Sequence, residues 1–373
     1  MAGRILGVFS GFCSAVPAFA AAALALCLAH SASGADFSKS AENLAAAMDW
    51  DATAEISAAD YDAAVAAGRI TLIGPALLED FLSQVASQQV NPGVCARVPL
   101  KVVYTPLNGT GNKPVREILR RIGVSEVAVV PEQELPDGRF PTAPYPNPEI
   151  RQAFECALKL AETVRPDLLL ATDPDCDRAG IAVRNAAGEY VLLTGNETGM
   201  LLLGFICARR AAHHAMPSEP VMIKTIVTTD MAERIAAHYG VRTINVLTGF
   251  KFIGEQIGLL EKQGRADSYI FGFEESYGYL SGSYVRDKDA VDASLLICEM
   301  FAYYKAQGVS LLDRLNALYA QYGYCLNTLH SYTFEGAAGF DRMQAIMQAF
   351  RGDIAAFGGK ALQAYQDYLH GLD

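Results

Sequence analysis

The chain is organised around one stretch, Leu168-Leu-Leu-Ala-Thr-Asp-Pro-Asp-Cys-Asp-Arg-Ala-Gly-Ile-Ala-Val183. The apolar runs at its two ends, 168–171 and 181–183, are typical of buried strands. Between them stand three carboxylates at alternate positions: Asp173, Asp175 and Asp177. In extended chain, side chains two residues apart point to the same side. The spacing therefore predicts that the three carboxylates converge.

Three aspartates held close together repel one another unless a cation neutralises them. Ligands that are all oxygens favour a hard cation such as Mg²⁺ and would leave coordination positions open for water or a phosphate oxygen. A calcium loop of the EF-hand type is excluded, because its sixth and twelfth positions would be Arg178 and Arg184. A solvated acidic turn is the plain structural alternative. Arg178 favours a metal site that also holds a phosphate, since guanidinium binds phosphate in bidentate fashion.

The composition limits the possible function classes. A length of 373 residues indicates roughly two or three domains, and the 51% hydrophobic content is enough to form their cores. The net charge of −11 and the lack of a basic run argue against a nucleic-acid binder. Eight scattered cysteines without a C-x-x-C pair favour reduced thiols over a disulfide framework or a zinc site. Cys176 is expected to be a small spacer, because thiolate is a soft ligand among hard ones.

Residues 1–35 differ from the rest of the chain. Arg4 is the only charge before an uncharged run at 5–29, and small residues follow at 31–35. Three interpretations fit this segment: a signal peptide, a segment that spans a bilayer, or an incidental leader. The remaining chain favours a cytoplasmic location, with export or membrane anchoring through residues 1–35 as the alternative.

Strands and helices alternate along most of the chain, which is typical of α/β layers. The segment 36–90 is predicted to be helical, with one short strand at 70–73. The other strands are predicted at 100–104, 127–130, 168–171, 181–183, 190–193, 221–227, 243–247, 269–273 and 332–334. The helices are predicted at 115–122, 149–163, 196–210, 231–238, 290–304, 311–324 and 340–351.

A second group of chemically active side chains lies in Gly272-Phe-Glu-Glu-Ser-Tyr-Gly-Tyr279. Carboxylates and a hydroxyl bind vicinal sugar hydroxyls well, because those hydroxyls both donate and accept hydrogen bonds. A simple helix cap is the plain alternative. Downstream, Arg286 and Lys288 could neutralise a phosphate or assist proton transfer. Their plain alternative is a set of surface salt bridges, which contribute little free energy.

A glycine-rich turn, Thr105-Pro-Leu-Asn-Gly-Thr-Gly-Asn-Lys-Pro-Val115, follows the first strand of the α/β region. Gly109 and Gly111 would let the backbone approach a ligand closely. The turn is not a Walker A loop, because Lys113 is followed by Pro114. A tight connection between a strand and a helix explains it equally well.

These motifs together resemble the α-D-phosphohexomutases, the phosphoglucomutase and phosphomannomutase superfamily. DPDCDR is similar to the metal-binding loop of that family, and GFEESYGYLSGSYVRDKDAV resembles its sugar-recognition loop. TPLNGTGNKPV is similar to the turn that opens the second domain of the family, and LTGFKFIGEQI to a loop of the third. The resemblance implies an α/β fold of two consecutive three-layer α/β/α domains with mixed sheets, preceded by a helical and apolar N-terminal segment.

The resemblance also implies domain boundaries. Residues 1–35 would be the apolar leader, and 36–90 a helical remnant of domain one with a linker. Residues 91–196 would be domain two with the metal loop, and 197–325 domain three with the sugar loop. Residues 326–373 would be a linker toward a fourth domain. Neither the phosphoserine motif nor the terminal phosphate loop of the family is found in this sequence, so the chain by itself is expected to show no turnover.

By resemblance, the chain is expected to be a phosphosugar mutase that interconverts glucose 1-phosphate and glucose 6-phosphate through a bisphosphate intermediate. The cofactors implied are Mg²⁺ and, as an activator in intact homologues, glucose 1,6-bisphosphate. The partner implied is a sugar phosphate. The metal ligands would be Asp173, Asp175 and Asp177, and the catalytic residues Arg178 and Lys288. The substrate-binding residues would be Thr248, Gly249, Glu274, Ser276 and Arg286.

Three alternatives stay open. The first is a different sugar specificity, of the phosphomannomutase or phosphopentomutase type. Some family branches place a His four residues after the first Glu of the sugar loop, where this chain has Gly278. That difference favours the phosphoglucomutase and phosphopentomutase side over phosphomannomutase specificity. The chain could also be a non-catalytic remnant that binds Mg²⁺ and sugar phosphate. The third alternative is a haloacid-dehalogenase-type phosphotransferase with an aspartate nucleophile.

Overall fold

The computed structural model describes residues 58–327, 332–352, 355–357, 359–361 and 368. The predicted leader at 1–35 lies outside the described residues. The chain divides into two compact units between Ser83 and Gln84. The first helices of the described chain are α1 (Ala58–Ala66) and α2 (Pro75–Ala86).

The strand predicted at 70–73 is wrong. These residues form an irregular connection between α1 and α2, and Leu72 and Ile73 are 64% and 78% exposed. A strand needs a hydrogen-bonded neighbour. None of the described strands pairs with this segment.

The first α/β domain is built on a five-stranded mixed sheet. In chain order its elements are α3 (Val94–Arg97), β1 (Lys101–Thr105), α4 (Asn112–Arg121), β2 (Glu126–Val129), α5 (Pro131–Glu134), a 3-10 turn (Arg151–Phe154), α6 (Glu155–Val164), β3 (Leu168–Thr172), β4 (Ala179–Arg184) and β5 (Tyr190–Leu193). The strand order is β2-β1-β3-β4-β5. The first three strands are parallel, and β4 and β5 continue the sheet antiparallel.

The core of this domain follows from the alternation of side chains along its strands. Val103 of β1 and Leu169 of β3 pack against Phe154 of the 3-10 turn and Ala157 of α6. On the sheet's other face β4 contacts a later helix, α10 (Ala290–Lys305). The helix predicted from 149 begins later as the 3-10 turn, because Asn147 Oδ1 accepts the Glu149 N–H at 2.9 Å and closes a local turn first.

The second α/β domain has a four-stranded mixed sheet in the order β7-β6-β8-β9. Its elements are α7 (Gly195–Ala212), β6 (Val221–Thr225), α8 (Met231–His238), β7 (Arg242–Val246), α9 (Phe250–Lys262), a 3-10 turn (Ala266–Ser268), β8 (Tyr269–Phe273) and β9 (Tyr279–Leu280). The strands β6, β7 and β8 are parallel, and β9 is antiparallel to β8. Ile223 and Tyr269 pack against α9, whereas Phe273 faces α7 at Gly199.

The helix α10 connects the two sheets. It contacts α3 and α4 of the first domain, and α7 and β9 of the second. Asp289 caps its first turn by accepting the N–H groups of Val291 and Asp292. Because this helix starts where both sheets present their loops, its first residues are placed between the two predicted motifs.

The described chain continues with α11 (Leu311–Tyr322), α12 (Gly336–Phe350), β10 (Ala356–Phe357) and β11 (Lys360–Ala361). The last two strands pair only with each other. The strand predicted at 332–334 is wrong: its residues are irregular, and Tyr332 is 80% exposed. As at 70–73, an apolar run without a neighbouring strand does not form a sheet.

The predicted α/β class with two consecutive domains and mixed sheets is confirmed. The domain boundaries predicted from the sequence stay predictions. Among the helices that the structure describes, none combines the length and the apolar character needed to cross a bilayer.

Candidate active site

The aspartate loop, residues 173–178, connects the antiparallel strands β3 and β4. Its backbone closes a turn in which Cys176 N donates to Asp173 O at 3.0 Å, and Cys176 adopts φ +61°. The Asp173 carboxylate fixes the turn, because its Oδ1 accepts the N–H groups of Asp177 at 3.0 Å and Arg178 at 2.8 Å. The expectation of an extended segment is therefore wrong. The carboxylates converge because the loop turns back on Asp173.

The three aspartates form an acidic cluster of the kind that binds a hard cation. Asp173, Asp175 and Asp177 each offer one oxygen, and the three oxygens lie within 4.8 Å of one another. Burial raises the pKa of Asp173 to about 8, and the charges of Asp177 and Asp175 act in the same direction. When the surroundings of a carboxylate disfavour its ionisation, a nearby cation stabilises the ionised form strongly. The donor set fits Mg²⁺, since all donors are oxygens and they leave room for further oxygen ligands.

Two cations face this cluster from different parts of the chain. Arg178 Nη1 lies 3.2 Å from Glu149 Oε1, and its Nε lies between the carboxylates of Asp173 and Asp177 at 3.7 and 3.8 Å. Lys288 Nζ lies 2.8 Å from Asp177 Oδ2. Burial acts to lower the pKa of Lys288, but the hydrogen bond and charge of Asp177 outweigh it and hold the pKa above its usual value. Lys288 is therefore protonated and positively charged at neutral pH.

The glycine-rich turn packs against the aspartate loop. A Cβ at Gly109 would lie 2.3 Å from the Pro174 backbone, and one at Gly111 would lie 2.8 Å from the Cys176 sulfur. Thr110 N donates to Pro174 O at 2.8 Å. The glycines thus allow close approach of the aspartate loop, not of a ligand as the sequence suggested. Cys176 fills this contact, consistent with its predicted role as a spacer.

The glutamate loop, residues 274–278, connects β8 and β9 of the second sheet. Burial raises the pKa of Glu274 to about 7, while the charge of Lys288 opposes this shift. Glu274 Oε1 accepts the N–H of Gly249 at 3.0 Å, which joins the loop to the turn before α9. Gly249 has φ +120°, a backbone conformation that favours glycine. Thr248 is exposed beside it, and Ser276 is half-buried near the loop's tip.

The two loops touch each other although they belong to different sheets. Arg178 and Gly278 form an antiparallel β-bridge, and Ala179 N donates to Tyr277 O at 3.1 Å. The first residue of α10, Ala290, donates its N–H to Cys176 O at 3.1 Å. The metal-type and sugar-type motifs, about 100 residues apart in the sequence, therefore share one site.

The structure brings most predicted site residues together. Asp173, Asp175, Asp177, Arg178 and Lys288 form one cluster, and Glu274 contacts Gly249 next to it. Arg286 differs: its guanidinium contacts Glu261 at 2.6 Å and the carbonyl of Ser283. The role of each of these side chains toward a ligand stays a prediction.

One carboxylate of the site, Glu149, was missed by the sequence prediction, and Glu275, predicted only as one of the carboxylates of the 272–279 group, has partners that the sequence did not indicate. Glu149 holds Arg178, but it stands in a proline-rich connection without any motif of its own. Glu275 accepts hydrogen bonds from Thr225 at 3.2 Å and Thr228 at 3.3 Å. The signal for these threonines was their position at the end of the buried parallel strand β6 and just beyond it, where sheet edges place functional side chains.

Comparisons with known proteins agree with this geometry. Residues 79–188 match the family model described as phosphoglucomutase/phosphomannomutase, alpha/beta/alpha domain II, and residues 195–322 match that of domain III. The phosphoglucomutases of Staphylococcus aureus strains N315 and USA300 are 37% and 38% identical over 278 residues. Each alignment covers 74% of this chain and 49% of the relative, so the chain spans about half the length of the curated relatives it matches.

A solved structure shows a similar fold. A protein from Thermus thermophilus that is assigned as a phosphomannomutase superposes with a TM-score of 0.52 at 21% sequence identity. The superposition covers 66% of this chain and 51% of that chain. At this identity the likeness concerns the fold alone.

Proposed function

The chain belongs to the phosphoglucomutase/phosphomannomutase family, and from this premise we propose that it supplies the metal-binding and sugar-binding parts of a phosphosugar mutase site. The substrate pair proposed is glucose 1-phosphate and glucose 6-phosphate, with a bisphosphate intermediate. Family membership also overturns the haloacid-dehalogenase alternative.

One observation supports the proposal above all. The β-bridge between Arg178 and Gly278 holds the aspartate loop against the glutamate loop. Phosphoryl transfer depends on an acceptor and a donor held close and in line. A sugar hydroxyl held by Glu274 would thus lie next to the charged groups that meet the transferring phosphoryl group.

Mg²⁺ would be held by Asp173, Asp175 and Asp177, and when bound it would neutralise charge on the phosphoryl group. The protein's own side chains do the rest. Asp173 keeps the loop closed through its two backbone hydrogen bonds. Arg178, held by Glu149, directs its guanidinium toward phosphate oxygens.

The remaining roles concern the sugar. Glu274 and Ser276 would bind its hydroxyls, with Thr248 and Gly249 at the entrance. Lys288 would give a proton to a reacting oxygen or pair with phosphate. Arg286 would reach a phosphate only by leaving Glu261, so its proposed role requires a change of side-chain conformation.

The glycine at position 278, where family branches differ, has a structural explanation in this chain. A Cβ at Gly278 would lie 2.3 Å from Lys288 Cδ. A larger residue there would push Lys288 away from Asp177. Gly278 thus allows the contact between Lys288 and Asp177, while the preference for a glucose-type over a mannose-type site rests on the family resemblance at this position.

Calorimetric titration of the full chain with glucose 1-phosphate, with and without Mg²⁺, tests the proposal. Binding should be stronger with Mg²⁺ and stronger than for mannose 1-phosphate. Glu274→Gln should weaken it by about tenfold or more, since hydrogen bonds to charged groups contribute roughly 1.5–3 kcal/mol. The matched control is Glu162→Gln, an exposed residue of α6. Equal affinity in the Glu274→Gln variant would contradict the assignment.

The non-catalytic alternative and the predicted lack of turnover need a separate measurement. A coupled assay with glucose 1-phosphate, Mg²⁺ and glucose 1,6-bisphosphate decides both. Turnover that is abolished by Asp173→Ala would show that the chain catalyses the reaction by itself.

A further inference from the structure

A cavity that is lined mainly by residues of the second α/β domain lies away from the proposed active site. Its volume is about 590 Å³. It lies beside Tyr269, the first residue of β8, whereas the glutamate loop follows Phe273, the last residue of that strand. Arg210 lines this cavity from the last turn of α7. Gly195, at the other end of that helix, packs against the glutamate loop. At 1.5 Å per residue, about 22 Å of helix separates the two places.

The side chain of Arg210 differs from that of its neighbour Arg209 in having no partner. Arg209 donates to Tyr303 and lies over its ring at 4.7 Å, and it also contacts His213 at 2.8 Å. The backbone carbonyl of Arg210 accepts the N–H of Ala215 at 2.8 Å, but within the part of the chain that the structure describes the Arg210 side chain makes no hydrogen bond, ion pair or aromatic contact. Its Nε is buried without an acceptor. Asp267 lines the same cavity but forms no ion pair with Arg210.

An unpaired cation that is partly removed from water costs free energy. Burial lowers the pKa of Arg210, which is the electrostatic sign of that cost. An oxyanion would compensate for it, because carboxylate and phosphate both match the guanidinium fork.

The rest of the lining suits a small polar molecule. Gln84, His214 and Ser283 offer hydrogen-bonding side chains, while Ala215 and Met216 add apolar surface. The volume lies within the range of roughly 300–1,000 Å³ that is usual for small-molecule sites. Cavity size, an unpaired guanidinium and polar neighbours thus coincide at one place.

We propose that this cavity binds a small organic molecule that carries a phosphate or carboxylate group, with Arg210 pairing with that group. The polar side chains of Gln84, His214 and Ser283 bind the remainder of the molecule. The site is separate from the proposed active site, and the proposal does not depend on the mutase assignment.

Met216 provides a local reporter for the test. The full chain is labelled with ¹³C at its methionine methyl groups, and the Met216 signal is assigned with Met216→Leu. Glycerol 3-phosphate, malate and uncharged glycerol are titrated separately without Mg²⁺. We expect a saturable shift of the Met216 signal with at least one of the two anions and none with glycerol. The anion that binds more tightly identifies the class of oxyanion. The signal of Met231, buried in α8, serves as the internal control and should stay unchanged.

Arg210→Gln should weaken binding at least tenfold. The matched control is Arg242→Gln, which removes the same charge from an exposed position of β7 and should leave the affinity unchanged within twofold. If Arg210→Gln does not fold, Ala215→Trp replaces it, because a large side chain at this exposed lining position blocks the cavity. An unresponsive Met216 signal would overturn the proposal, as would undiminished affinity in Arg210→Gln or in Ala215→Trp.

Discussion

The aspartate loop and the glutamate loop both follow buried strands and both carry carboxylates, but different contacts hold them in place. Asp173 accepts hydrogen bonds from residues four and five positions ahead, within its own loop. Glu274 accepts one from Gly249, 25 positions away, and Glu275 accepts hydrogen bonds from two threonines that are 47 and 50 positions away. The carboxylate of Asp173 thus closes its own loop, whereas the carboxylates of the second loop bind residues elsewhere in the second domain.

The two loops also differ in what limits ionisation of their carboxylates. Burial is the largest cause of the raised pKa at both residues. At Asp173 the second cause is the like charge of Asp177, which raises the pKa further and precedes the opposing contributions of Arg178. At Glu274 the second cause is the opposite charge of Lys288, which lowers the pKa and precedes the like charge of Glu275. A bound cation should therefore change the electrostatics of the aspartate loop far more than those of the glutamate loop.

The largest effects are expected from two glycine substitutions that push on one loop each. In Gly109→Ala the new Cβ would lie 2.3 Å from Pro174 Cα, and in Gly195→Ala 2.0 Å from Glu275 O. Both neighbours are backbone atoms that cannot move aside, so each variant should lose about 1–3 kcal/mol of unfolding free energy. Gly109→Ala should weaken Mg²⁺ binding more, and Gly195→Ala glucose 1-phosphate binding more, as measured by calorimetry.

Gly258→Ala in α9 is the control for both variants, because no atom lies within 4 Å of its added Cβ. Its stability should be unchanged or should rise by up to ~1 kcal/mol, since alanine is the better helix former. If both loop variants lost affinity for Mg²⁺ and for glucose 1-phosphate equally, the two loops would respond as one unit and not as separately held loops.

The sequence predicted the elements whose information is local. The strands β5 and β8 and the helix α8 have the predicted bounds, because apolar runs and flanking turns define them without help from other elements. The convergence of the three aspartates was also predicted, although through the wrong backbone conformation. The errors at 70–73 and 332–334 have the opposite cause, since a strand needs a partner that no local pattern supplies.

The site was predictable in its residue types but not in its assembly. The motifs identified the residues around Asp173 and Glu274, while the bridge from Arg178 to Gly278 depends on the packing of two sheets. Glu149 could not be found from its sequence surroundings, because only the folded chain brings it to Arg178. Tertiary contacts between distant segments are thus what the sequence could not supply.

A smaller effect is expected on the pH dependence of stability. Because the folded-state pKa of Glu274 is about 7 against 4.5 in the unfolded chain, the folded state keeps the proton longer. Stability should therefore fall as pH rises from about 4.5 to 7, and for Asp173 from about 4 to 8. Chemical denaturation at several pH values measures this fall, which should be shallower in Glu274→Gln and in Asp173→Asn.

Saturating Mg²⁺ should reduce the loss of stability with rising pH that Asp173 causes. It should leave unchanged the loss that Glu274 causes. The discriminating comparison is the effect of Mg²⁺ on each variant. The metal should flatten the pH profile of Glu274→Gln and change that of Asp173→Asn little. An equal effect of Mg²⁺ on both profiles would show that the cation does not act through Asp173.

The smallest effect is expected where the two loops meet. In Gly278→Ala the added Cβ would lie 2.3 Å from Lys288 Cδ, and this flexible side chain can move away. Lys288 would then leave Asp177, and Mg²⁺ would lose a competing cation. Its affinity should rise by up to about fivefold, which corresponds to the upper end of the roughly 0–1 kcal/mol of an exposed ion pair, since this pair is half-buried. Lys288→Met should act in the same direction. Weaker Mg²⁺ binding in both variants would mean that Lys288 supports the metal site.

The most direct test of the central claim, that the aspartate loop binds Mg²⁺, is a calorimetric titration of three proteins: the parent chain, Asp175→Ala and Asp341→Ala. Asp175 is the exposed member of the cluster, so its removal should leave the thermal midpoint unchanged in the absence of metal. Asp341, exposed on α12, provides the same chemical change elsewhere. The account predicts one Mg²⁺ site in the parent and in Asp341→Ala, and loss of that site in Asp175→Ala. Mg²⁺ binding by Asp175→Ala that is as tight as that of the parent would contradict it.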